Sequence, residues 1–370
     1  MSAPETPLIL LAAGGTGGHL FPAEALAGAL QARGVAVELV TDSRAARYAG
    51  HFPARKLHIL PADTVRGRSP LALARTTVTL GTGIAKGFAL MRRLRPAAVV
   101  GFGGYPTVPP LAAAVLARLP TVIHEANAVP GRANALLAPY VSAIATGYPD
   151  LFAAQPPLAA KARHTGNPVR PAVLAVAGAA FAPPDSVSPI NLLVFGGSQG
   201  ARIMSEIVPP AVARLAPALR ARLRIVQQCR AEDIDEVRAA YGALGVAAEL
   251  APFFADLPAR MAEAHLVIGR SGASTVAELS VIGRPSVLVP LPNALDQDQL
   301  ANAMALAKAG GALLLPQVDF TPERFASEFS RFAAAPETLA AMASAAKRLG
   351  RADAAERLAD FVLDLTRRTG

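Results

Sequence analysis

Short, largely apolar runs alternate with longer amphipathic stretches along most of the chain. Residues 8–12, 35–40, 97–101 and 121–124 in the first half form such runs, as do 192–195, 223–226, 266–268 and 286–289 in the second. Their length and apolar character predict parallel strands covered on both faces. Helical spacing fills the gaps, as over 23–33, which Gly34 ends. Strands alternating with helices predict βαβ units. Residues 151–190 change character, with Pro156, Pro157, Pro168, Pro171, Pro183, Pro184 and Pro189. This stretch reads as a boundary between a first domain at 1–168 and a second at 169–351. Residues 341–368 return to helical spacing, and a terminal helix near 352–370 is expected to pack back on the first domain.

Two strands run into glycine loops, LILLAAGGTGGH at 8–19 and NLLVFGGSQGAR at 191–202. A strand, a glycine turn and a helix start aim backbone N–H groups at an anion. Two copies in equivalent positions predict an α/β protein of two doubly wound, Rossmann-like domains facing a cleft. Residues 97–117 carry no charge, yet they contain Gly101, Gly103, Gly104, Pro106, Pro109 and Pro110. A continuous membrane-spanning helix is excluded there, and strand, turn and helix start are expected instead.

Composition narrows the chemistry. The 370 residues are 52% hydrophobic and 17% charged, with a formal net charge of +9, which favours an anionic partner. Cys229 is the only cysteine, so neither an internal disulfide nor a cysteine-based zinc site is available. The start, MSAPETP, lacks the basic segment of a secretory signal, and a cytosolic location fits. Charge is uneven: Arg66, Arg68, Arg75, Lys86, Arg92, Arg93 and Arg95 lie in a stretch without an acid. Leu80, Ile84, Phe88 and Met91 are interleaved at helical spacing. That pattern suits either a helix burying one face or an anionic bilayer surface. Nucleic acid is disfavoured, because aromatics suited to stacking are few and no binding motif is present.

Candidate chemistry clusters where strands end. In the first loop, Thr16, Gly17 and Gly18 lead to His19, and Leu20 stands where a dinucleotide fingerprint needs its third glycine, which argues against hydride transfer. His19 is either a helix-start residue or a ligand-facing imidazole. The turn at 101–106 and the run His124-Glu125-Ala126-Asn127 follow two further strands. In the second half, Ser198 suits a phosphate. The run 270–278 is again strand, turn and helix, with Ala273, Ser274 and Thr275 at the expected helix start. Thr275 and Glu278 fit a capping box; Glu278 is equally suited to the hydroxyls of a ribose. Asp296-Gln297-Asp298 has the form of a metal-binding acid pair, but helix N-termini and glycine loops can hold a diphosphate unaided, so no metal or other cofactor is expected to be obligatory.

The ordered motifs GGTGGHLFPA (14–23), GFGGYPT (101–107), HEANAVPGRAN (124–134), GNPVR (166–170), GGSQGAR (196–202), RSGASTVAEL (270–279) and GRPSVLVP (283–290) resemble the MurG family of bacterial peptidoglycan glycosyltransferases. The resemblance runs almost end to end. It implies the GT-B fold and inverting transfer of N-acetylglucosamine from UDP-GlcNAc to undecaprenyl-diphospho-muramoyl-pentapeptide (lipid I), on the cytoplasmic face of the inner membrane. By the same resemblance, His19 is the first candidate base and Glu125 the second. Thr16, Gly17 and Gly18 line the catalytic cleft, Asn127 touches the sugar, and Arg170 lies near the nucleotide. Ser198 meets the diphosphate, Ala273–Thr275 approach the diphosphate and sugar, the Phe254 main chain meets the uracil, Glu278 holds the ribose, and Asp298 and Gln299 contact sugar hydroxyls. Arg75, Leu80, Ile84, Lys86, Phe88, Arg92 and Arg93 would face the membrane. Two departures stand out: Ala126 where many relatives have Gln, and Asp298 where some have one of two paired glutamines. Other readings are a different lipid-directed GT-B transferase and a non-catalytic nucleotide-sugar binding module.

Overall fold

A computed structural model describes residues 6–14, 17–43, 52–62, 70–197, 200–292, 294 and 296–369, with backbone alone at 70–74 and 368–369. The chain forms two compact units, one of residues 1–170 with 353–370 and the other of 171–352.

The first unit holds a seven-stranded sheet in the order β3-β2-β1-β4-β5-β6-β7. The strands are β1 Leu8–Ala12, β2 Ala36–Thr41, β3 Leu57–Ile59, β4 Ala98–Gly101, β5 Thr121–Glu125, β6 Ala143–Thr146 and β7 Ala162–His164. All pairings are parallel. Central strands are sealed on both faces, as the evenly apolar runs require: Ile9 and Leu11 enter one core cluster, Leu10 and Ala12 the other. The first cluster is closed by helix Gly17–Gln31 and by helix Ala354–Thr369, which contributes Leu358, Ala359 and Val362. Helices Pro70–Leu94, Val108–Leu116 and Arg132–Leu137 contribute to the second.

The second unit holds six parallel strands in the order β10-β9-β8-β11-β12-β13. These are β8 Ile190–Phe195, β9 Leu223–Gln228, β10 Ala247–Ala251, β11 Leu266–Gly269, β12 Ser286–Leu288 and β13 Ala312–Leu314.

Two expectations change. The helix expected at 23–33 begins at Gly17, because Pro22 lies inside it rather than before it. The proline forfeits one bond, to the Gly18 carbonyl, without ending the helix. The stretch 341–368 is not one helix: Pro336–Leu349 stops at Gly350, whose extended backbone (φ −61°, ψ 136°) breaks the ladder before Ala354–Thr369. Among the described residues, no helix is long and apolar enough to cross a membrane.

Candidate active site

In the first unit the strand order reverses between β1 and β4. Loops leaving the two strands diverge there and open a crevice at their C-terminal ends. Two glycine turns occupy it. After β1 the chain passes Gly14 and enters the helix whose third residue is His19, with Nδ1 3.1 Å from the Gly14 carbonyl oxygen. A carbonyl can only accept, so Nδ1 carries the proton and Nε2 the lone pair. After β4, Gly103 and Gly104 take φ of 85° and 74°. A Cβ built on Gly104 would stand 3.1 Å from Cε1 of His19, and one on Gly103 3.6 Å from its Nε2. The second glycine turn is therefore the floor against which the imidazole lies, and both backbone conformation and space call for glycine.

The end of β5 supplies the next wall. Glu125 is 1% exposed, and each of its oxygens accepts two hydrogen bonds. Oε1 takes the main-chain N–H of Asn127 (2.9 Å) and its Nδ2 (3.1 Å); Oε2 takes the N–H of Gly131 (2.9 Å) and Nδ2 of Asn134 (2.8 Å). Burial outweighs the four donors and holds this carboxyl above its ordinary value. Such an arrangement fits anchoring Asn127 and its loop better than accepting a proton. His124, fully buried, donates from Nε2 to the Gly166 carbonyl (3.1 Å), and burial lowers its pKa to about 4. Asn167 donates to the Ala126 carbonyl (2.8 Å). These two bonds pin the GNPVR segment to the same edge. Arg170 ends that segment with its guanidinium 4.4 Å over the ring of Phe21, two residues after His19 in the first helix.

In the second unit the reversal falls between β8 and β11. After β8, Gly196 packs so closely on the Ala201 main-chain nitrogen that a side chain there would collide with it. After β11, Arg270 donates to the Val289 and Pro290 carbonyls (3.1 and 2.9 Å) and to Gln317 (2.7 Å), fixing the turn before helix Ala273–Ile282. That helix is capped by Gly272 without a side-chain bond, and Thr275 is already its third residue. The capping box expected of Thr275 and Glu278 is therefore absent. Glu278 is 4% exposed in the second turn, and the buried Ser274 Oγ finds no hydrogen-bond partner among the described residues. Ala273, Ser274 and Thr275 together form the helix N-terminus, where dipole and N–H groups suit an anion.

Phe254 follows β10, with Arg260 4.4 Å over its ring. Arg260 is itself tied to Glu249 (2.7 and 2.8 Å) and Asp256 (2.8 Å). Asp298 and Gln299 open helix Asp298–Lys308. Gln299 Oε1 accepts from the Leu291 N–H (3.0 Å), and its carbonyl accepts from Ser271 (2.7 Å). Asn302 donates to the Ser271 carbonyl (3.2 Å), stitching the two turns together.

The predicted residues thus gather at two strand edges. Gly17, Gly18, His19, Glu125, Asn127 and Arg170 lie on the first unit; Phe254, Ala273–Thr275, Glu278, Asp298 and Gln299 lie on the second. Thr16 and Ser198 lie outside the described residues, as do Arg66 and Arg68. On helix Pro70–Leu94, Arg75, Lys86, Arg92 and Arg93 are exposed, whereas Ile84 and Phe88 pack toward the core and Leu80 is half-buried. Val78, 68% exposed, is the large apolar side chain this helix offers to solvent among those described. Asn134, Asn167, Ser271 and Asn302 were not singled out from the sequence, although the first three fall within quoted motifs. Gln228, described below, carried no local signal.

Residues 9–146 match the glycosyltransferase family 28 N-terminal domain, and residues 191–358 the glycosyltransferase family 28 C-terminal domain. A UDP-N-acetylglucosamine–N-acetylmuramyl-(pentapeptide) pyrophosphoryl-undecaprenol N-acetylglucosamine transferase of Rhodopseudomonas palustris is 62% identical, covering 98% of this chain and 99% of its own. A protein of the same name from Nitrobacter hamburgensis is 60% identical, with 98% of each chain covered. The crystal structure of MurG from Acinetobacter baumannii superposes with a TM-score of 0.79 at 29% identity, covering 97% of this chain and 99% of that one. With both domains matched and the likeness sustained from end to end, the chain belongs to the MurG family of GT-B glycosyltransferases.

Proposed function

We propose that the protein transfers N-acetylglucosamine from UDP-GlcNAc to the C4 hydroxyl of the muramoyl sugar of lipid I, forming lipid II, and that the residues gathered above carry the reaction. The observation that carries this reading is the 62% identity maintained over 98% of the chain with a relative of that activity. In a single inverting displacement the acceptor oxygen attacks the anomeric carbon as the bond to UDP breaks. His19 takes the hydroxyl proton on Nε2, its Nδ1–H being committed to Gly14. Glu125 holds Asn127 toward the sugar.

The departing diphosphate gains charge as the bond breaks. The N-terminus of helix Ala273–Ile282, with the Ser274 hydroxyl, and the Gly196–Gly197 turn stabilise that change more than the ground state. Glu278 takes the ribose hydroxyls and the Phe254 main chain the uracil. Asp298 and the Gln299 amide NH2 reach the sugar. Arg75, Lys86, Arg92 and Arg93 draw the first unit to an anionic membrane surface, where the acceptor's lipid resides, at the cytoplasmic face of the inner membrane.

The test is transfer of radiolabelled sugar from UDP-GlcNAc to a lipid I analogue in the presence of EDTA. Labelled lipid II is expected. Tight UDP-GlcNAc binding without transfer would leave only a nucleotide-sugar binding module.

A further inference from the structure

Gln228 is the last residue of β9, which lies between β8 and β10. Its side chain is buried, and its amide is used in both senses. Oε1 accepts the main-chain N–H of Gly196 at 3.0 Å, and Nε2 donates to the carbonyl of Pro252 at 3.1 Å. Gly196 opens the glycine loop after β8; Pro252 opens the loop after β10 that carries Phe254. The partners fix the orientation of the amide, since an N–H only donates and a carbonyl only accepts.

We propose that Gln228 is a positioning residue for nucleotide recognition: it sets the separation between the loop that cradles the diphosphate and the loop that reads the base, so that uridine diphosphate is gripped at both ends together. This rests on the donor site proposed above. A neutral amide of this length is what the position demands. Asparagine is a methylene too short to span both loops. A carboxylate would set a negative oxygen against the Pro252 carbonyl, and an alkyl chain would leave two backbone groups unpaired.

The test is competitive inhibition of the full-length enzyme by UDP, uridine and inorganic pyrophosphate, beside donor KM and kcat. Gln228→Met keeps the volume and removes both bonds. It should weaken UDP and raise donor KM by about tenfold, while kcat and the inhibition by uridine or pyrophosphate shift by no more than about threefold. Each fragment touches one loop, so only the ligand spanning both should sense the lost spacing. Gln228→Glu should bind UDP weakly at neutral pH and regain affinity, relative to the wild type at the same pH, toward mildly acidic conditions. There the neutral acid again accepts on one side and donates on the other.

Unchanged UDP inhibition in both variants would overturn the proposal, as would equal losses for all three probes, the mark of a general structural defect. Wild-type enzyme indifferent to UDP would instead overturn the donor site itself.

Discussion

Because the Gly14 carbonyl can only accept, His19 presents Nε2 as its basic nitrogen, and truncating the side chain tests that one atom. His19→Ala should lower kcat by about a hundredfold or more while UDP affinity stays within about threefold. Equal, modest losses in both would remove it from the base role. His124 makes a different prediction. Its folded pKa of about 4 lies below the ordinary histidine value of 6.5, so the fold favours the neutral ring. The stabilisation is complete above pH 6.5 and is lost as pH falls through 4, roughly 3 kcal/mol across the window. Urea unfolding of the wild type should show that slope, and His124→Gln should flatten it; identical slopes would show that the ring titrates as in the unfolded chain. At this scale His19, Glu125 and Asn127 were legible because they sit in short motifs at strand ends. Gln228 was not, since its partners lie across two neighbouring strands and nothing local announces them.

The strands most legible in the sequence are deeply buried ones. β1, β4, β5, β8 and β11 lie inside their sheets and stand out as apolar runs. Three-residue β3, β7 and β13, at sheet edges, leave too little pattern to read, and Ala-rich β10, also at an edge, lacks the β-branched side chains that mark a strand; β6 is buried but only four residues long, two of them alanine. Helix Pro70–Leu94 shows the reverse difficulty. Its spacing was plain, but Ile84 and Phe88 face the core, leaving its exposed cations as the surface feature. Replacing Arg75, Lys86, Arg92 and Arg93 with Gln should weaken sedimentation with anionic vesicles, each charge contributing about 1 kcal/mol at low salt. Binding that is unaltered, or insensitive to salt in the wild type, would leave these residues as ordinary surface.

Across the whole molecule, the same strand–glycine-turn–helix logic operates twice, once at each reversal of strand order. That recurrence makes two doubly wound units readable in the sequence itself. The final helix makes the first unit discontinuous in sequence. Leu358 and Val362, both 0% exposed, belong to its core. Burial of a side chain of this kind contributes roughly 1.5–3 kcal/mol. Deleting residues 351–370 should therefore cost the first unit at least about 3 kcal/mol. Limited proteolysis should then cut within 6–170 before 171–350; a digestion pattern like that of the intact chain would argue that the helix is dispensable. The polypeptide leaves the first unit after Arg170 and re-enters it at Asp353. During synthesis every strand of the first sheet emerges from the ribosome long before the helix that completes the roof over one of its faces, so the greasy patch beneath Leu358 and Val362 must wait uncovered through translation of the entire second unit.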